Sequence, residues 1–213
     1  MNLTVMMQQL AGGMGASLLI FVLTLLFSMP LGLLVAFGRM SKFKPLQAII
    51  KFFIAVLRGT PLMLQLFAVY FFLPKLLGPI PRLNAVYIAF GLNYAAYFAE
   101  IYRGGIMSIP PGQYEAAQVL GFTKPQTFMR IILPQTVKRI LLPVSNEVIT
   151  LVKDTSLATA IAVSEIFLTA KNATSSSGSV EPLFIAGVFY LLMNAGVTAF
   201  FNFLTKRFDY YHD

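Results

Sequence analysis

The chain has 213 residues, 57% of them hydrophobic and only 11% charged, with a formal net charge of +8. Soluble domains carry about 25% charged residues, so this composition, with a mean hydropathy of +0.75, belongs in a bilayer. There is no cysteine and His212 is the single histidine, which sets aside disulfides, thiolate metal sites and histidine-based catalysis.

The length suits one domain, residues 1–213, all-helical, with about five spans of roughly 20 residues joined by short loops. No charge precedes Arg39, and residues 14–38 read as a first span interrupted by Pro30 and Gly32. Its length and the missing positive n-region argue against a signal peptide. Residues 45–57 place Leu46, Ile49, Ile50, Phe53 and Leu57 against Lys44, Gln47 and Lys51, the pattern of an interfacial helix. A short second span runs from Pro61 to Leu73, after Arg58-Gly59-Thr60, and a third covers 83–102. The fourth begins near Arg139 and reaches Ala170, with a polar break at Lys153-Asp154-Thr155-Ser156. A Ser-rich loop at 171–181 precedes a fifth span, Pro182 to Thr205, that carries no charge.

Lysine and arginine set the orientation. With the N-terminus outside, twelve of the sixteen basic residues fall on inner segments, among them Arg39, Lys51, Arg103, Lys124, Arg139 and Arg207. Only Lys75, Arg82 and Lys171 fall outside. That asymmetry obeys the positive-inside rule and places the loop around Glu115 in the cytoplasm. Basic loops at the membrane account for the net charge without nucleic acid.

That loop, about 110–134, has local signals of two short helices. Pro110-Pro111-Gly112 can start a helix, and Glu115 lies near its N-terminus, where the helix dipole favours a carboxylate. Ala116 and Ala117 are small and let another surface approach. Gly121 can take the left-handed conformation that ends a helix. Thr123-Lys124-Pro125-Gln126 reads as the capping box of a second helix ending at Leu133-Pro134. A helix lying on the membrane surface fits the same local signals.

The pattern Glu115-Ala116-Ala117, three residues, Gly121, nine residues, Ile131-x-Leu133-Pro134 is similar to the cytoplasmic motif of permease subunits of bacterial ABC importers. Arg58-Gly59-Thr60-Pro61-Leu62, Tyr102-Arg103-Gly104-Gly105-Ile106 and Lys153-Asp154-Thr155-Ser156-Leu157 narrow the resemblance to the polar amino-acid permeases. It covers nearly the whole chain. It implies a type I ABC importer permease fold and a coupling helix (Glu115, Ala116, Ala117, Gly121) that docks in a cleft of an ATPase. It also implies two ATPase subunits per complex, a second permease copy (identical or related), an extracellular substrate-binding protein and a bacterial cell membrane location. The chain has no Gly-x-x-x-x-Gly-Lys-Ser/Thr loop, because Gly12-Gly13-Met14-Gly15 lacks the lysine. No cofactor is therefore expected in this chain, and ATP with its Mg is expected on the partner ATPase.

Ionisable groups inside a span are costly and point to function. Glu147 and Asp154 are seven residues apart, on one helical face with Thr150 between them. Carboxylates can take an ammonium or a cationic side chain. Thr155 and Ser156, beside a helix break, can hold a carboxylate. Thr60, Gln65 and Tyr97 are polar positions in apolar surroundings and complete the candidate substrate site. Arg58 reads as an interface anchor, Glu100 and Arg103 as a local ion pair, and Glu165 has no assigned role. A rival reading makes the chain a single-component channel or secondary transporter, with Glu147 and Asp154 as an ion pathway.

Overall fold

The structure, a computed structural model, describes residues 3–208; His212 lies outside them. Every regular element among the described residues is helical. Helix α1 spans Leu3–Arg39. One stripe of it is buried: Met6, Leu10, Gly13, Ser17, Ile20, Thr24, Ser28, Gly32 and Ala36, at intervals of three and four. Most of these residues are small, and small residues let helix backbones approach in a membrane, where packing rather than water exclusion drives association. The N-terminal end of the stripe (Met6, Leu10, Gly13 and Ser17) lies against two later helices, Ile166–Ser177 and Glu181–Arg207, and its C-terminal end lies against helix α5, Arg82–Met107, which buries Ala95, Ala96, Phe98 and Ala99. A Cβ at Gly32 would lie 2.9 Å from Phe98 Cβ and 3.0 Å from the Ala95 carbonyl oxygen, so glycine fits the crossing.

Helix α2, Lys44–Gly59, is amphipathic, as its pattern predicts, and buries Ile54 against Ala36, Ala96 and Ala99. The chain then turns through 109°. Pro61 accounts for the turn, because its ring disfavours helical backbone at the preceding residue, and Thr60 is extended (φ −124°, ψ 149°). Helix α3, Leu62–Phe67, continues as a π-helical turn, Ala68–Phe72, and then α4, Pro74–Leu77.

After α5 come α6, Pro111–Val119, and α7, Lys124–Thr127. The expected stop at Leu133-Pro134 is corrected. The chain passes from α7 through a π-helical turn, Phe128–Ile132, into α8, Leu133–Asp154. Pro134 stands in the first turn of α8, where a missing N–H costs little. Helix α8 stops at the polar break, and a 3₁₀ segment, Thr155–Ile161, follows. Ala162 has positive φ (57°), and a separate helix α9, Ile166–Ser177, begins. The Ser-rich stretch is thus helical as far as Ser177, a second correction. Ser175, Ser176 and Ser177 return their hydroxyls to carbonyls three or four residues back, which lets serine sit inside a helix. Helix α10, Glu181–Arg207, closes the described chain.

The main core gathers Leu62 and Leu66, Phe90, Tyr94 and Phe98, and Val148 and Leu151, with Ile20 and Phe201. A second cluster joins Met6 and Leu10 to Ile166, Ala170, Ala186 and Phe189. Thr4–Arg39 and Glu181–Arg207 are long and apolar enough to cross a bilayer alone, and α2 with the bent segment after it forms one broken candidate.

Candidate functional site

A polar cavity of about 390 Å³ opens where the α2–α3 turn, α5 and α8 meet. Its floor and walls are Thr60, Pro61 and Leu62, then Asn93, Tyr94 and Tyr97, then Glu147, Thr150, Asp154 and Leu157. Each group has a local reason to be there. The turn at Pro61 brings Thr60 inward. Asn93, Tyr94 and Tyr97 occupy adjacent positions on α5, and Glu147, Thr150 and Asp154 recur at three and four residues on α8.

Hydrogen bonds hold the walls. The Tyr94 hydroxyl donates to Asp154 Oδ2 at 2.8 Å. Gln65 Nε2 donates to the Leu57 carbonyl (2.8 Å) and to Thr60 Oγ1 (2.9 Å). Asn93 Nδ2 donates to Gln65 Oε1 and to the Leu57 carbonyl, each at 3.0 Å. Gln65 therefore braces the wall without lining it.

Five of the eight residues expected from the sequence, Thr60, Tyr97, Glu147, Thr150 and Asp154, line one cavity. Gln65 stands behind it. Thr155 is fully buried and donates to the Val152 carbonyl, and Ser156 donates to the Lys153 carbonyl. Both hydroxyls are thus turned into their own helix end. Asn93 and Tyr94 join the wall although the sequence reading left them outside the candidate site; their polarity on the face shared with Tyr97 was the available signal.

The segment around Glu115 is built as its local signals suggest. Helix α6 ends in a Schellman motif. The Phe122 amide donates to the Ala117 carbonyl and the Gly121 amide to the Gln118 carbonyl, each at 3.0 Å. Gly121 has φ +77°, which glycine adopts without strain. The Thr123–Gln126 capping box is present, and the Thr123 amide donates to Gln126 Oε1 at 2.9 Å. Glu115 and Ala116 are exposed and Ala117 is buried. Val119 and Leu120 project apolar side chains into solvent, 88% and 72% exposed.

Residues 28–210 match the family described as the inner membrane component of binding-protein-dependent transport systems. The chain belongs to this family. The L-cystine transport system permease protein TcyB of Bacillus subtilis (strain 168) is 40% identical over 158 residues, covering 74% of this chain and 68% of that protein. The arginine transport system permease protein ArtQ of the same organism is 39% identical over 183 residues, covering 85% and 84%. A solved structure described as an amino acid ABC transporter with histidines superposes with a TM-score of 0.87 at 31% identity, over 94% of each chain. The inward-facing MetNI methionine ABC transporter gives 0.76 at 15% identity, over 98% and 99%, a likeness of fold alone. The all-helical chain has the ABC importer permease fold that its motifs imply. As a membrane component of such a system it is a transport subunit rather than an enzyme.

One feature of this permease had no role assigned from its sequence, and a second fulfils its expected role with an added partner. Glu165 is fully buried at the start of α9, where its carboxylate caps the helix. It accepts from the amides of Phe167 (2.8 Å) and Leu168 (2.7 Å) and the hydroxyls of Thr159 (2.8 Å), Tyr190 (3.0 Å) and Ser17 (3.3 Å). One carboxylate thus ties α1, the 3₁₀ segment, α9 and α10 together. The second feature is the expected Glu100–Arg103 ion pair, near the C-terminal end of α5. Arg103 grips Glu100 in bidentate fashion, with the shortest contact 2.6 Å, and Arg39 of α1 reaches Glu100 at 3.6 Å. Among the described residues, no cluster of three or more carboxylate, histidine or cysteine side chains is arranged to hold a metal ion.

Proposed function

We propose that the chain is the membrane subunit of an ATP-driven importer of polar L-amino acids, and that the cavity bearing Glu147 and Asp154 is its substrate site. The observation that carries this reading is the pair of carboxylates on one face of α8, opened to a cavity that also offers Thr60, Asn93, Tyr94 and Tyr97. A carboxylate in a bilayer requires a partner, and an amino acid supplies an ammonium group. Two carboxylates suit a substrate with a cationic side chain. The relatives named for arginine and L-cystine transport support the amino-acid class.

The mechanism proposed is mechanical. The chain crosses the bacterial cytoplasmic membrane five times with its N-terminus outside, α5 and α8 being spans beside the apolar ones. Glu115, Ala116, Ala117 and Gly121 seat the coupling segment in an ATPase subunit, which binds the ATP and Mg. Two ATPases, a second permease copy and an extracellular binding protein complete the complex. ATP-driven closure of the ATPases moves the coupling segment. Because α7 runs without a stop into α8 through the π-helical turn, that movement reaches Glu147 and Asp154 along one helical rod.

Affinity purification of the tagged chain from its native membrane tests the assembly. Recovery of a phosphate-loop ATPase at one-to-one stoichiometry is expected. A stable oligomer of this chain alone would overturn the reading and favour a channel.

A further inference from the structure

The acidic cavity is half a site for an amino acid. It offers carboxylates and hydroxyls, and none of its lining residues is a cation. The two hydroxyls expected to meet a carboxylate, those of Thr155 and Ser156, are spent on carbonyls of their own helix end.

Cations lie in a second cavity of about 430 Å³ on the coupling-segment side, lined by Arg58, Glu100, Gly104, Ser108, Arg139 and Pro143 among others. The two cavities share the same helix faces. Arg139, Pro143, Glu147, Thr150 and Asp154 form one stripe of α8 at intervals of three and four, so the stripe runs from cationic to anionic. Arg58 stands at the junction, because its guanidinium lies over the Tyr97 ring, 5.0 Å from the centroid, and Tyr97 lines the acidic cavity.

The charge balance of the second cavity is positive. Glu100 is already bound by Arg103 and Arg39. Among the described residues, neither Arg58 nor Arg139 makes an ion pair within 4 Å. Arg139 donates to the Ser108 carbonyl at the end of α5, which fixes its position without neutralising it. Both arginines are exposed to the cavity side of the subunit.

We infer that this second cavity binds the α-carboxylate of the transported amino acid, with Arg58 and Arg139 as its ligands. The inference rests on the proposed function and extends it. Because the α-ammonium and α-carboxylate share one carbon, the two cavities act in turn: the acidic cavity holds the ammonium and side-chain groups, and the cationic cavity takes the carboxylate as the substrate moves to the coupling side. Guanidinium suits this task because its fork matches carboxylate geometry.

The test uses the permease with its ATPase partner in nanodiscs, without nucleotide or binding protein. Equilibrium binding is measured for L-arginine and for agmatine, which is L-arginine without its carboxylate. Wild type should bind L-arginine more tightly. Arg58→Gln and Arg139→Gln should each weaken L-arginine roughly tenfold or more, the effect of losing a charge-assisted hydrogen bond, and leave agmatine unchanged. Arg139→Lys keeps the charge and the bond to Ser108 and should retain most of the preference, which separates carboxylate binding from a folding defect. L-arginine bound no more tightly than agmatine by wild type, or arginine variants that weaken both probes equally, would overturn the inference. Glu147→Gln and Asp154→Asn should weaken both probes. If they weaken neither while Arg58→Gln still weakens L-arginine, the acidic site fails and the carboxylate site stands.

Discussion

Tyr94 on α5 donates a 2.8 Å hydrogen bond to Asp154, the last residue of α8. The bond joins two helices at the point where α8 gives way to a 3₁₀ segment, and both partners line the polar cavity. It fixes one carboxylate oxygen and, in the proposed substrate site, leaves the other for substrate.

Replacing Tyr94 by Phe removes that donor while keeping the ring in the core. A hydrogen bond to a charged group contributes about 1.5–3 kcal/mol. The variant should assemble normally and show a KM for uptake changed by roughly tenfold or more. Uptake kinetics in proteoliposomes measure this, and an unchanged KM and rate would remove the bond from the site.

Glu165→Ala leaves five donors without their acceptor, three of them (Ser17, Thr159 and Tyr190) on elements outside the helix it caps. Each buried donor left unsatisfied costs about 1–3 kcal/mol. Thermal unfolding of the purified complex should therefore move down by many degrees, with Glu165→Gln intermediate because one amide oxygen still accepts. A Glu165→Ala complex as stable as the parent would show that Ser17, Thr159 and Tyr190 find other partners.

Gly32→Ala places a methyl group 2.9 Å from Phe98 Cβ and 3.0 Å from a backbone oxygen of α5. Neither neighbour is the end of a flexible side chain, so α1 and α5 must separate. Lower yield and lower thermal stability of the folded complex are expected. Gly12→Ala, with nothing within 4 Å of the new methyl, is the matched control and should be neutral.

Glu115→Lys puts a cation near the positive end of α6, on an exposed position. The variant should lose ATPase association or uncouple hydrolysis from uptake, measured by co-purification and by ATP consumed per substrate moved. Normal uptake would remove Glu115 from the coupling role.

Much of this was legible in the sequence because the signals are local. The Thr123–Gln126 capping box, the left-handed Gly121, the turn at Pro61 and the α8 break after Asp154 each follow from a few neighbouring residues. The spacing of Glu147, Thr150 and Asp154 put them on one face, and one cavity receives all three. What escaped depends on distant partners. Glu165 acquires meaning only when Ser17, 148 residues away, and Tyr190 are folded onto it. Thr155 and Ser156 carry the right chemistry for a substrate carboxylate, but the helix end beside them offers nearer acceptors. The expected stop at Pro134 failed because a π-helical turn lets the helix run through it.

The central claim is tested most directly by uptake of radiolabelled L-amino acids into proteoliposomes that contain this permease, its ATPase and its binding protein. Accumulation against a gradient that requires ATP on the coupling-segment side and the binding protein on the other, and that Asp154→Asn lowers without loss of the complex, is the predicted result. Flux that follows the imposed gradient without ATP, unaffected by Asp154→Asn, would contradict it.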